Sequence, residues 1–498
     1  MTQARIRKVV IAGGGTAGWV AAAALAHQFR GLLEIVLVES EQIGTIGVGE
    51  STVPPIRAFH RFLQIDEQEF LRAVAGTFKL AISFEDWQGQ GDRYIHPFGS
   101  TGQGTLVCAF HHFWLEAQRR GMHSGFNEYC LEAQAARADR FAVLQQPAVN
   151  YAYHLDAGLY ARFLRTHAQR YGATRIEGKI QQVRQHADSG FVEALVLEDG
   201  QVVEGDLFID CTGFRGLLIE QTLHTGYEDW SHWLPCDRAV AVQTESVEPP
   251  VPYTRAIAHA AGWRWQIPLQ HRVGNGLVYA RAHLSDDEAS AMLLAAVQGT
   301  PRRDPMLVPF VTGRRLQTWN KNVVALGLAS GFVEPLESTS IHLAIVAVMR
   351  LITLFPADGI AQPQVDLFNR ISRAEAEHVR DFVILHYHAT QREEALWRQC
   401  RAMELPESLQ LRLRAWREGA HAWQDGDELF RVDSWTHVLL GQGIAPAQHH
   451  PLTRALPDQH LQQLLDGIRQ PLQHVVTQLP TQQAFIDSYC KVDQSTWG

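Results

Sequence analysis

Cysteine is scarce and scattered in this chain. Six residues, Cys108, Cys130, Cys211, Cys236, Cys400 and Cys490, are spread over 498 positions, and no two form a C-x-x-C pair. That distribution argues against a disulfide-stapled scaffold and a cysteine zinc site. It fits a reducing compartment, so a cytoplasmic location and no bound metal are expected. Charge is sparse too: 19% of residues are Asp, Glu, Lys or Arg, with a formal net charge of −9. A nucleic-acid-binding surface normally shows as a basic stripe, and this mild acidity argues against a nucleic-acid partner. Long apolar runs are missing with one exception. Val9–Ala26 is uncharged and follows Arg5, Arg7 and Lys8, as a leader or membrane span would. Gly13-Gly14-Gly15 splits it into a short β-branched run and an alanine-rich run. A strand, a tight turn and a helix explain that split better, so no membrane partner is expected.

What is present is a large core. Hydrophobic residues make up 46% of the chain, which suits one two-lobed unit or two to three domains. "RKVVIAG" reads as a buried strand, "TAGWVAAAALAHQF" as a helix, and "LEIVLVES" as a second buried strand ending at Glu39. Residues 77–84 alternate and predict one strand, with Phe78, Leu80, Ile82 and Phe84 on one face and Thr77, Lys79, Ala81 and Ser83 on the other. Residues 107–140 read as helical, and further strands follow in "TRIEGKIQQV" and "EALVLEDGQVVEGDLFIDCTG". Residues 340–355 predict an apolar helix, and from about 365 the pattern is helical and polar. The domain reading is 1–360 as a cofactor-binding box, with substrate-pocket insertions at about 80–150, and 361–498 as a helical subdomain.

Gly13-x-Gly15-x-x-Gly18 lies between the first strand and helix, and Glu39 closes the next strand. The glycines serve a tight turn, close approach to a pyrophosphate, and helix–strand packing, and the acid suits ribose hydroxyls. The helix N-terminus supplies free N–H groups to phosphates. This pattern alone does not separate FAD from NAD. "GVGEST" (47–52) and "LFIDCTGF" favour FAD, as loops that return to a large planar cofactor. Around "GFVEPLESTSIHLAIVAVMRL" (331–351), Pro335 stops one segment and Ser338 or Thr339 caps the next helix. Such a terminus can hold an anion. In "AGWRWQIPLQ", Trp263, Trp265 and Ile267 share one face of a strand and form a bulky wall.

Taken together, "GGGTAGW", Lys79 in "FKLAI", "WRWQIP" and "FVEPLESTS" resemble the flavin-dependent halogenases of the tryptophan halogenase family, in order and over nearly the whole chain. The W-x-W-x-I-P motif, complete here as Trp263, Trp265, Ile267 and Pro268, separates that family from the aromatic hydroxylases sharing its FAD fold. The F-x-x-P-x-x-S-x-G signature appears as Phe332, Pro335 and Ser338, with Ser340 in place of the last glycine.

The resemblance implies an α/β (α+β) fold, Rossmann-like and of the glutathione-reductase type, with a helical substrate subdomain. It implies a cofactor-binding set of Gly13, Gly14, Gly15, Thr16, Ala17, Gly18, Glu39, Val48, Gly49, Val183, Leu328 and Ile341. It further implies a mechanism. FAD, delivered reduced by a separate flavin reductase, reacts with O₂ to give a C4a-hydroperoxide. A halide, bromide or chloride, bound at Thr339 and Ser340 is oxidised to hypohalous acid. The acid travels through an internal tunnel to Lys79, and Glu337 assists attack by the aromatic substrate. His96 and Phe98 in "YIHPFGSTG" are the expected aromatic-pocket residues, and the tryptophan wall keeps organic substrate from the flavin.

"DSWTHVLLGQGIAPAQHHPL" (433–452) lacks the Tyr- and Glu-rich clamp expected of free-tryptophan enzymes and is closer to family members acting on indole, the indole brominase type included, which points to an indole-like substrate. Bromide is expected over chloride because Ser340 replaces the glycine at the anion site and because the larger ion sheds water more cheaply and is more easily oxidised. His449-His450 and "LHYHAT" read as hydrogen-bonding or surface groups. A flavin monooxygenase and a non-enzymatic FAD-binding protein remain open alternatives. Against the first, Gly327 is followed by Leu328 rather than Asp. A homodimer is left open.

Overall fold

The computed structural model describes residues 5–43 and 49–493. The chain divides into two units, one built from Met1–Ala75, Leu155–His232 and Phe310–Glu377, the other from Gly76–His154, Trp233–Pro309 and His378–Gly498. The sequence suggested a boundary near 360, with insertions at about 80–150. The chain alternates between the units, because strands remote in sequence complete each other's sheets.

In the first unit, Lys8–Ala12 lies between Leu207–Asp210 and Glu34–Glu39, parallel to both. Thr174–Glu177 extends the sheet on one side and Val323–Ala325 on the other, also in parallel, with Trp319–Asn320 antiparallel at the edge. Val9 to Ala12 are all buried. A parallel strand covered on both faces reads as a continuous apolar run rather than an alternation, which is why this segment looked membrane-like. The helix Thr16–Gln28 is buried from Gly18 to Ala26. Its alanines favour helix and bring no bulk to hold the helix away from the sheet. Ile180–Gln185, Val192–Leu197 and Val202–Glu204 form a separate antiparallel sheet. Leu195 and Leu197 from it join Val10, Val36 and Phe208 in one core.

The second unit holds a seven-stranded sheet. Its order is Met306–Pro309, Arg238–Thr244, Val273–Tyr279, Gly262–Pro268, Tyr253–His259, Ala81–Glu85, Arg93–Pro97. The strand predicted over 77–84 is broken at Leu80. Thr77–Lys79 pairs with the strand containing Ala152, Tyr153 and His154, whereas Ala81–Glu85 joins the large sheet. Leu80 bridges the change: its N–H donates to the Pro252 carbonyl, and its carbonyl accepts from the Phe98 N–H. All eight residues from Thr77 to Phe84 are buried, so their alternation reports two protein environments, not core against water. Residues 107–140 hold the short helices Phe110–Arg119 and Leu131–Arg137. Past residue 378 this unit is helical, ending in Asp458–Gln478 and Gln482–Tyr489. Among the described residues no helix is long and apolar enough to cross a membrane.

Phe78 ties the last helix to the strand that carries Lys79. Its ring stacks on Phe141 at 4.1 Å and meets Phe485 edge-on at 5.4 Å. Phe78→Ala is expected to cost about 3–5 kcal/mol, the range for a buried aromatic truncated to alanine. A clear drop in melting temperature relative to wild type checks this; an unchanged melting curve refutes the anchoring role.

Candidate functional site

The loop between the first strand and helix of the first unit is shaped by what its glycines leave room for. Gly13 has φ +106, and a Cβ there would meet the Cys211 carbonyl oxygen at 2.3 Å. A Cβ on Gly18 would meet the Gly13 carbonyl at 1.9 Å, and one on Gly14 would meet Glu39 Oε2 at 1.5 Å. These three positions are glycine because protein atoms occupy the space. Gly15 differs, since a Cβ there meets nothing within 4 Å among the described residues. Gly15 is the N-cap of Thr16–Gln28, no side chain caps that terminus, and its first turn has no acid. The first N–H groups of a helix lack intrahelical acceptors and carry partial positive charge. Thr16, Ala17 and Gly18 therefore offer donors beside an open glycine, which fits a pyrophosphate.

Glu39 is held from two sides. Arg175 Nε donates to Oε1 at 2.5 Å, and Trp19 Nε1 donates to Oε2 at 3.3 Å. Sequence reasoning missed both partners. Trp19 sits in the quoted motif, but Arg175 lies 136 residues from Glu39 and carries no local signal. Asp210, at the end of its strand, is fully buried and accepts from the N–H groups of Thr212, Leu218 and Ile219 and from the Thr212 hydroxyl. Its oxygens are committed to the turn that brings Cys211 against Gly13. Gly327, with φ +60, leaves room for Ala17, whose Cβ is 2.7 Å from where its own would lie; Leu328 follows it in a short 3-10 turn. Val183 faces Leu195 across its sheet and packs on the core. Gly49 has φ +91, and Val48 lies outside the described residues.

The segment before the helix Ser340–Thr353 forms the second feature of this unit. Pro335–Glu337 makes a 3-10 turn, and Ser338 adopts a left-handed conformation at φ +60. That conformation is uncommon for a residue other than glycine and costs on the order of 1 kcal/mol. It reverses the chain so that Thr339 becomes the N-cap of the helix, as the sequence suggested. Yet no side-chain cap bond forms. The Thr339 hydroxyl is buried and has no hydrogen-bond partner among the described residues. Glu337 is 1% exposed, and Ile341 is buried in the helix's first turn. An uncapped helix N-terminus with a spare buried hydroxyl and no acid in its first turn is chemically suited to a small anion.

In the second unit Lys79 is fully buried, with its ammonium 4.9 Å from the centroid of the Phe98 ring. Next to it runs a hydrogen-bond chain that sequence reasoning missed. The Thr77 hydroxyl donates to the Pro268 carbonyl at 2.7 Å. Its oxygen is then left to accept from His154 Nδ1 at 3.0 Å, and His154 Nε2 accepts from the Thr254 hydroxyl at 2.9 Å. Burial, and then the charge of Lys79, hold the His154 pKa well below the usual histidine value. The chain therefore runs through a neutral imidazole and links the strand of Lys79 to the proline of the W-x-W-x-I-P motif. His96 is buried opposite Ile82, its ring 5.6 Å from Phe382.

The Trp263 and Trp265 rings lie 6.0 Å apart on one face of the strand Gly262–Pro268. Gly276 on the neighbouring strand makes room for Trp265, since a Cβ there would meet the indole at 2.0 Å. The Trp265 N–H is buried without a partner among the described residues. Among the described residues no group of three His, Cys, Asp or Glu could hold a metal ion. His449 Nε2 bonds the buried Glu116 at 2.7 Å, and His386 Nδ1 bonds the Tyr94 hydroxyl at 2.8 Å.

Gly15→Ala separates cofactor contact from packing. The apo protein should keep its melting temperature, because no protein atom opposes the new methyl group. FAD affinity, read by flavin fluorescence quenching, should fall about tenfold or more, equivalent to ~1.4 kcal/mol. Equal FAD affinity in mutant and wild type would show that the phosphates do not pass Gly15.

The tryptophan halogenase family model matches residues 8–458. A tryptophan 6-halogenase from Streptomyces toxytricini is 35% identical, with 95% of this chain and 97% of that protein covered. Among solved structures, a flavin-dependent halogenase from Xanthomonas campestris superposes with a TM-score of 0.97 at 51% identity, covering 98% of this chain and 99% of that one. Another, from Brevundimonas sp. BAL3, gives 0.94 at 44% identity, covering 98% and 100%. The FAD-binding Rossmann-type fold is thereby established, and enzymes of this kind use FAD in reduced form, a halide, an aromatic substrate and a separate flavin reductase. The chain belongs to the tryptophan halogenase family and is a flavin-dependent halogenase.

Proposed function

We propose that this halogenase modifies an electron-rich, indole-like aromatic compound through hypohalous acid delivered to Lys79, with bromide preferred over chloride. The observation that carries the reading is the wholly buried Lys79 ammonium over the Phe98 ring. Burying a charge is costly unless it is compensated. A lysine kept out of water against an aromatic face, beside a histidine held neutral, is suited to hydrogen-bonding a polar electrophile or forming a haloamine. Bound reduced FAD supplies the O₂ activation. This chain's part is to hold the halide at Thr339 and Ser340, to keep bulky substrate from the flavin with Trp263, Trp265, Ile267 and Pro268, and to seat the aromatic ring by His96 and Phe98. Glu337, buried and acidic, orients the electrophile or takes the ring proton. The cofactor set keeps the membership given above, with Val183, Leu328 and Ile341 as apolar contacts.

Lys79→Ala should abolish halogenated product while flavin reoxidation continues. Glu337→Gln should slow halogenation by about 10²-fold or more, the range for a lost acid–base group. Product analysis by mass spectrometry alongside flavin absorbance checks both. Near-wild-type product from Lys79→Ala would remove the lysine from the mechanism.

The absent clamp in residues 433–452 supports indole over tryptophan, because an amino acid's ammonium and carboxylate would be buried unpaired. The expected kcat/KM is higher for indole, and the reverse order would sink the substrate assignment. For the halide, Ser340 adds a Cβ where the family pattern has glycine. Bromide tolerates a longer contact, sheds water more cheaply and is more easily oxidised. Ser340→Gly should lower the bromide-to-chloride product ratio at equal halide concentrations; an unchanged ratio would show that Ser340 does not set the preference.

A further inference from the structure

The first turn of Ser340–Thr353 holds two polar side chains that a helix terminus normally uses on itself. In a capping box the N-cap side chain accepts from the third N–H, and the third side chain reaches back to the N-cap N–H. The helix Asp286–Ala296 does this with Ser285 and Glu288. At Ser340–Thr353 the corresponding residues are Thr339 and His342, and the box stays open. Among the described residues, the Thr339 hydroxyl and His342 Nδ1 are both buried with no hydrogen-bond partner, their residues 1% and 7% exposed. Leaving either group buried and unpaired is costly, and here both occur in one turn beside free backbone N–H groups. Helical side chains lean back over the turn before them, which aims the His342 ring toward Thr339. Burial holds the His342 pKa down, to about 4, so at neutral pH the ring is an uncharged donor and acceptor.

We propose that His342 is a ligand of the halide, donating from Nδ1 beside the Thr339 hydroxyl, and that it sets halide affinity. This rests on reading Thr339 and Ser340 as the halide site. A monatomic anion accepts equally from hydroxyl, imidazole N–H and backbone N–H, so it satisfies every open donor of this turn at once.

The test is chloride NMR line broadening by the FAD-free protein, with bromide as competitor, together with steady-state bromination. The variants are Thr339→Val, His342→Phe and His342→Gln, each with its melting curve. Wild type should broaden the chloride signal. His342→Phe should weaken halide binding about tenfold and raise the bromide KM by a similar factor, the loss falling on KM more than on kcat. His342→Gln, which keeps a donor, should restore most of the affinity. If His342→Phe does not fold, His342→Leu takes its place. Halide binding lost in Thr339→Val but intact in His342→Phe overturns the proposal and leaves the halide site standing. No broadening by wild type, with a bromide KM equal in all variants, overturns both.

Discussion

Keeping the Lys79 ammonium out of water is the constraint around which the second unit's site is organised. A charge with no exposure needs surroundings that stabilise it, and several features of the unit serve that need. The Phe98 ring presents its negative face to the ammonium at 4.9 Å. His154 would be a second cation close by if protonated, and it stays neutral. Its tautomer follows from two hydroxyls, because Thr77 spends its single proton on the Pro268 carbonyl. The break at Leu80 follows the same logic. A continuous strand would leave Lys79 in the large sheet, whereas the break lets Thr77–Lys79 pair beside His154.

The two units differ in how plainly they were written in the sequence. The dinucleotide loop was legible because its demands are local: four glycines, one helix start and one acid within a single strand–helix–strand stretch. The structure adds that these glycines do not share one reason. Gly13, Gly14 and Gly18 yield to protein atoms, and Gly15 leaves space free. Arg175 was not legible as a part of this site, since the Glu39 it holds is 136 residues away; Asp210 lies in the quoted "LFIDCTGF" segment, but its role in tying the turn at Thr212, Leu218 and Ile219 was not legible there. The break at Leu80 was hidden because burial on both faces removes the usual meaning of alternation. The alternation between units was not visible for a similar reason: strand partners such as Ala81–Glu85 and Tyr253–His259 are set by long-range pairing that no local pattern announces.

The segment before the helix Ser340–Thr353 shows how a resemblance and a structure inform each other. The family signature pointed to Thr339 and Ser340, and it marked Ser340 as a departure. The signature contains no position for His342, and the residue drew no notice in the sequence, where an isolated histidine in an apolar helix reads as core. Its open nitrogen becomes meaningful only beside the equally open Thr339 hydroxyl, that is, once helix geometry makes them neighbours.

The alternation of the chain between its units has a consequence for how the protein is made. The strand Lys8–Ala12 leaves the ribosome early. Its parallel partner Leu207–Asp210 arrives some two hundred residues later, and Val323–Ala325 joins that side of the sheet last. At a synthesis rate of ~5–20 residues per second, the wait for that last strand is roughly 15–60 s. Throughout it, an apolar strand and an alanine-rich helix have no finished sheet to cover. Slow translation or a truncated gene would therefore leave this strand and helix uncovered rather than release a small folded cofactor-binding module.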